Sequence, residues 1–187
     1  MSGPYFQKSW PAFVHQGVTY SFDHLDEYQV EVTDSKKVER RIAITFSDHC
    51  FTKEPEAGDD PALVYPHSTR RVGHFCTDRY RHSLDIGGHI AYAIQRRVWH
   101  VLDGSYAIVP VITHEGMRIL YGVVFSLDRV KGFPVDLHMR VKTAHPRDER
   151  DIVTFGEIRF SHLVTLRMEG KYPPRITDQH RKRPKAT

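Results

Sequence analysis

Two short clusters in this sequence hold side chains able to move protons and to hold negative charge. The first is Ser47-Asp48-His49-Cys50. The alternation before it places it at the C-terminal end of a strand, where a polar side chain can face a cleft. An imidazole titrates near neutrality, the range in which proton transfer is most effective, so His49 is a candidate general acid or base. The plain alternative is a surface histidine beside a buried cysteine. The second is Arg140-Val141-Lys142-Thr143-Ala144-His145-Pro146-Arg147-Asp148. On a strand, Arg140 and Lys142 share one face with His138. His145 is expected just past the strand end, before a proline that favours extended backbone. Cations, a hydroxyl and an imidazole together are what metal-free RNA cleavage requires. A base takes the proton of the 2′-hydroxyl, cations stabilise the phosphorane, and an acid protonates the leaving oxygen. On this reading His49, Arg140, Thr143 and His145 are catalytic, with Thr143 donating to the phosphate. The competing reading is a solvated sheet face beside a charged loop.

Two weaker clusters follow. Arg79-Tyr80-Arg81-His82, preceded by Arg70-Arg71, stands where a helix begins. Helix N-termini attract phosphate, so Arg79 and Arg81 join Lys142 and Arg147 as substrate-binding candidates, with Tyr80 assigned to the core. His49, Cys50, His74 and Cys76 have zinc-ligand chemistry. However, neighbouring strand side chains point to opposite faces and no CxxC is present, so no metal and no cofactor is expected. Arg96-Arg97 and Arg181-Lys182-Arg183 read as electrostatic footprint or plain solubility.

The elements that must position these groups are legible from period and turn residues. One short strand is predicted within residues 14–22. Residues 28–32 and 41–46 alternate around the polar turn Asp34-Ser35-Lys36, which predicts a β-hairpin. Residues 51–72 read as a loop with a short strand at 62–65. Thr77-Asp78 can cap a helix, and helical spacing of Tyr80, Leu84, Ile90, Ile94 and Val98 predicts one main helix over 79–99, broken or kinked at Gly87-Gly88. Strands are predicted at 106–112 and 117–126, joined by His114-Glu115-Gly116. Residues 135–143 carry the cleanest alternation in the chain. Residues 155–168 fit a strand or a short helix. The predicted fold is α+β: a single domain over residues 1–170, its main helix packed on an antiparallel sheet, followed by a basic, flexible tail over residues 171–187.

Composition limits the rest. The 187 residues are 40% hydrophobic and 27% charged, an ordinary globular balance that excludes a disordered chain, a collagen-like repeat and a disulfide scaffold. Two cysteines cannot staple the fold. Neither an apolar run long enough to span a membrane nor a secretion signal is present, so a cytoplasmic protein with no membrane partner is expected. Residues 1–66 carry 6 Lys+Arg against 11 Asp+Glu, and residues 67–187 carry 21 against 12. Of those 21 cations 16 are Arg, whose planar fork binds phosphate bidentately. A basic, arginine-dominated half points to a phosphate-bearing partner.

The stretches FSDHCFT, FCTDRYRHS, LHMRVKTAHPRDER and GEIRFSHLVTLRMEGKYPPR together resemble a group of uncharacterised bacterial and phage proteins, over about residues 40–175. The strand end Thr143-Ala144-His145-Pro146 is also similar to the threonine-bearing final strands of the barnase–EndoU–colicin–RelE ribonuclease superfold. In both patterns position 145 is usually Tyr, and here it is His. The resemblance implies a helical N-terminal element on a four-stranded antiparallel sheet, and a metal-independent, toxin-like endoribonuclease (a hydrolase of RNA) that can have a cognate inhibitor protein. The expectation from sequence is therefore RNA cleavage by 2′-hydroxyl transesterification. The alternative is a non-catalytic nucleic-acid-binding or partner-inhibiting protein of phage or mobile-element origin.

Overall fold

The computed structural model describes residues 5–173, apart from 69–70, 102–104, 115 and 148–153. Where one strand was expected near the N-terminus there is a small hairpin, β1 (Phe13–His15) and β2 (Val18–Tyr20). Its turn uses positive φ at Gln16 (48°) and Gly17 (76°), as a two-residue turn between right-twisted strands requires. The expected hairpin follows as β3 (Tyr28–Thr33) and β4 (Glu39–Phe46). Asp34 organises its turn: Oδ1 accepts the backbone N–H of Lys36 and of Val38, and Oδ2 accepts from Arg40 Nε at 3.2 Å. β4 ends in a 3-10 turn, Asp48–Cys50, started by Ser47 Oγ accepting from the His49 N–H. Three short strands, β5 (Thr52–Lys53), β6 (Val64–Tyr65) and β7 (Gly73–Phe75), form a separate sheet in the order β5–β7–β6.

The expected single helix is two: α1 (Thr77–Ser83) and α2 (Ile86–Ala93). The break falls at Leu84-Asp85, before the glycines, which lie inside α2. Ser83 accounts for the position. Its hydroxyl donates to the Tyr80 carbonyl at 2.7 Å and meets His24 Nε2 at 2.7 Å, a side-chain bond that competes with helical pairing. The C-terminal part of the expected helix is a strand, β8 (Arg97–His100). β9 (Tyr106–Ile108), β10 (Val111–His114), β11 (Met117–Arg129), β12 (Leu137–Arg147) and β13 (Glu157–Arg159) follow, and α3 (Phe160–Met168) closes the described chain. The ambiguous segment 155–168 is thus a strand and then a helix. Positions 174–187 of the expected tail lie outside the described residues.

The large sheet runs β13–β8–β9–β11–β12–β4–β3, with β10 also paired to β11. All pairs are antiparallel except β12 with β4, which is parallel. The architecture is therefore α+β with a mixed sheet, not the wholly antiparallel one expected. It also departs from the ribonuclease superfold: the sheet has eight strands, and the described N-terminal region supplies mainly strands, with one 3-10 turn at Asp23–Leu25.

One face of the sheet is the core. Ile42, Ile44, Phe125, Leu127, Leu137, Met139 and Val141 have almost no solvent contact there, and Ile86, Ile90, Phe160, Leu163 and Val164 from α2 and α3 are equally buried. Phe125 meets Phe160 at 6.3 Å between ring centroids. Burying each such side chain contributes about 1.5–3 kcal/mol, which is why the alternation of β12 was readable. A second aromatic group, in which Phe22 stacks on Phe51 at 3.9 Å, supports the turn after β4. Among the described residues no helix is long and apolar enough to cross a membrane.

Candidate nucleic-acid interface

β11 and β12 change register once. Phe125 faces Val141 and Val124 faces Thr143, so Lys142 is the unpaired residue of a β-bulge. A bulge shifts the alternation of its strand by one. Before it, Leu137, Met139 and Val141 point into the core; after it, the buried residue is Ala144. Were Lys142 paired in a regular ladder, Thr143 would continue the inward series. With Lys142 left unpaired, Thr143 and His145 join His138 and Arg140 on the outer face, opposite the small residues Gly122, Val124 and Ser126 of β11. The outer face of β12 therefore carries His138, Arg140, Thr143 and His145 in one line.

Lys142 belongs to the same face. Its side chain crosses β11, and Nζ donates to Ser105 Oγ, just before β9, at 2.8 Å. Arg140 has no ion-pair partner among the described residues. It lines a cleft of about 520 Å³ with His138, Ser47, Phe6, Gln7 and Trp10. The cover over Arg140 is the N-terminal segment around residues 6–11. Glu27 pins that segment by accepting the backbone N–H groups of Tyr5, Phe6 and Gln7 at 2.7–2.9 Å, and Gln7 Oε1 accepts from the Phe46 N–H at 2.6 Å. Phe6 stacks on His138 at 4.3 Å, and His138 Nε2 meets Thr45 Oγ1 at 2.7 Å. Burial, with a contribution from the Arg140 charge, lowers the His138 pKa.

His145 is not past the strand end. It lies within β12, opposite Gly122, with Nδ1 3.3 Å from Thr143 Oγ1. Burial, then the charges of Arg79 and Arg147, push its pKa down to about 3. That favours the neutral imidazole, which can accept a proton or a hydrogen bond, or orient Thr143. Arg147 crosses the strand beside it: a Cβ on Gly122 would stand 2.8 Å from Arg147 Cγ, so glycine is what lets this arginine lie flat.

Arg79 and Arg81 do not share this face. They sit on α1, and Arg79 Nη1 donates to the carbonyls of His49 (3.3 Å) and Thr52. Arg79 thus clamps α1 to the turn after β4 and links His49, by its backbone, to the surroundings of His145. Arg81 is exposed, 3.9 Å from Asp78. The histidine–cysteine set does not assemble. Burial pushes the Cys50 thiol up to about 12, His74 Nδ1 is held 3.2 Å from Asp59, and among the described residues no three His, Cys, Asp or Glu converge on a metal position.

Sequence reasoning missed Ser105, Gly122 and Phe6. Gly122 inside a strand was a signal of close backbone or side-chain approach; nothing local marked the other two.

Comparison with known proteins adds a family but no reaction. The chain is similar to Protein YjaZ of Escherichia coli strain K12, 28% identical over 151 residues that span 76% of this chain and 83% of that protein. No solved structure matches. The profile of the YjaZ family matches residues 12–167, most of the length over which the sheet, the three helices and the outer face of β12 are built, and the chain belongs to that family.

Proposed function

We propose that the outer face of β12 binds RNA through its phosphodiester backbone. The observation that carries this reading is the bulge at Lys142, which gathers Arg140, Lys142, Thr143 and His145 on one face. Arg140 supplies a planar fork, Lys142 a point charge, and Thr143 a hydroxyl donor. Phosphate contacts of this kind position a strand without reading its sequence, and the Arg-rich C-terminal half adds long-range attraction.

A second reading is cleavage of the bound RNA by attack of its 2′-hydroxyl, without metal. It is supported by Arg79, which links His49 to the neighbourhood of His145. Cleavage needs two proton-transferring groups at the same phosphate, and Arg79 joins His49 to this neighbourhood only through the His49 backbone carbonyl, so binding is the better supported function. The deciding experiment uses a labelled single-stranded RNA, followed by anisotropy for binding and by gel for cleavage. Binding that weakens in Arg140→Ala and Lys142→Ala supports the interface, and unchanged binding removes it. Cleavage that disappears in His49→Ala while binding persists establishes the enzyme reading.

A further inference from the structure

Away from the β12 face, a larger cleft of about 780 Å³ lies where the end of α2 meets β8, β13 and the edge strand β3. Tyr92, Arg96, Arg97, Trp99 and Arg159 line it, over an apolar floor that includes Ile108. Its volume is in the range of small-molecule sites. The lining contains one acidic residue, Glu31, against three arginines.

The register gives these arginines a special relation. Arg97 and Arg159 stand directly opposite each other on β8 and β13. Like charges in directly opposed cross-strand positions are destabilising. Compensation within the protein is slight: Arg97 Nη1 lies 3.6 Å from Glu157, with both side chains well exposed, and Arg159 has no ion-pair partner among the described residues. Arg96 is placed differently, its guanidinium 4.1 Å from the centre of the Tyr92 ring. Stacking occupies its flat face and leaves its N–H edge free to donate. Trp99, two residues from Arg97 on the same face of β8, is half-buried.

We propose that this cleft binds a phosphate ester carrying a planar aromatic group, of the nucleoside monophosphate type. The phosphate lies between Arg97 and Arg159 and relieves their repulsion with charge-assisted hydrogen bonds. The planar group lies on the aromatic and apolar lining. This site is separate from the RNA interface and does not depend on it.

The test is titration of the full chain with adenosine 5′-monophosphate, read by tryptophan fluorescence and by calorimetry. Saturable binding is expected. Arg97→Gln and Arg159→Gln, both at exposed positions that leave the core intact, each weaken it roughly ten-fold or more. Trp99→Phe removes the fluorescence change but keeps the calorimetric signal, since the other tryptophan is Trp10. Adenosine and inorganic phosphate, each lacking one half of the ligand, bind at least about ten-fold more weakly. Arg140→Ala and Lys142→Ala leave nucleotide binding unchanged. Absence of saturable binding, equal binding of adenosine, equal binding of inorganic phosphate, indifference to both arginine substitutions, or loss of binding in the β12 variants would each overturn the proposal.

Discussion

Lys142 reaches across β11 to Ser105, with 2.8 Å between Nζ and Oγ. The unpaired residue of the bulge thereby bridges three strands on the outer face, and the bulge is tied to the far side of β11. Lys142 remains exposed, so its hydrogen bond contributes little to stability and its charge is available to a ligand.

The first prediction follows from that availability. Lys142→Ala and Arg140→Ala fold normally and bind single-stranded RNA more weakly at low salt. For each phosphate that the variant leaves unneutralised, the slope of log K against log salt becomes shallower by about 0.7. Titrations at several salt concentrations measure it, and an unchanged slope in both variants would show that neither cation touches phosphate.

Removing Lys142 altogether goes further than truncating it, because it also removes the bulge. Deletion makes Thr143 follow Val141 directly, as their partners Val124 and Phe125 adjoin on β11, so the strand becomes regular with Thr143 and His145 still outward and Ala144 still inward. What is lost is the cation, its bond to Ser105 and the local twist that a bulge imposes. Denaturant unfolding is expected to show only a small loss of stability for the deletion and almost none for Lys142→Ala; a deletion that unfolds the chain would show that the ladder cannot close in the regular register.

A third prediction concerns pH. The folded pKa values of His145 and His138 both lie below the ordinary histidine value of 6.5, that of His145 at about 3. Between those limits the unfolded chain binds more protons than the folded one, so stability is full above about pH 6.5 and falls as pH drops toward 3. Because His145 is partly solvent-accessible, its share is below the single-proton limit, at up to ~1 kcal/mol per pH unit. The His145→Gln variant should show a flatter stability profile than wild type over that window. Parallel profiles would contradict the burial of His145.

Arg167 is the fourth case, a buried cation in α3. Its Nε donates to the Leu127 carbonyl at 2.7 Å, Nη1 to the Lys171 carbonyl at 3.2 Å and Nη2 to Asp128 at 2.8 Å, while its guanidinium lies 3.8 Å from the Tyr172 ring centre. It fastens α3 and the chain after it to β11. Truncation leaves buried carbonyls unpaired, so Arg167→Ala should cost about 2–4 kcal/mol with little direct effect on RNA binding at temperatures where the variant is folded. A thermal shift of only about one or two degrees would refute that role.

The local signals in this sequence determined the elements whose energetics are local or repetitive. The β3–β4 hairpin follows from two alternating runs around a turn-forming Asp34. The buried series Leu137, Met139 and Val141 follows from strict period two, and the same alternation sets Arg140 on the outer face. The tertiary structure decided what depends on partners distant in sequence. Ser83 breaks the helix by bonding to the Tyr80 carbonyl and to His24, which is 59 residues away. The bulge at Lys142 exists only relative to the register of β11, and it decides which face Thr143 and His145 occupy. The N-terminal segment covers Arg140 because Glu27 collects its backbone donors. Alternation records how a side chain relates to its own strand, whereas register, helix breaks and docked segments are set by which pairing buries the most apolar surface with the fewest unpaired polar groups. That balance is defined only once the whole chain is folded.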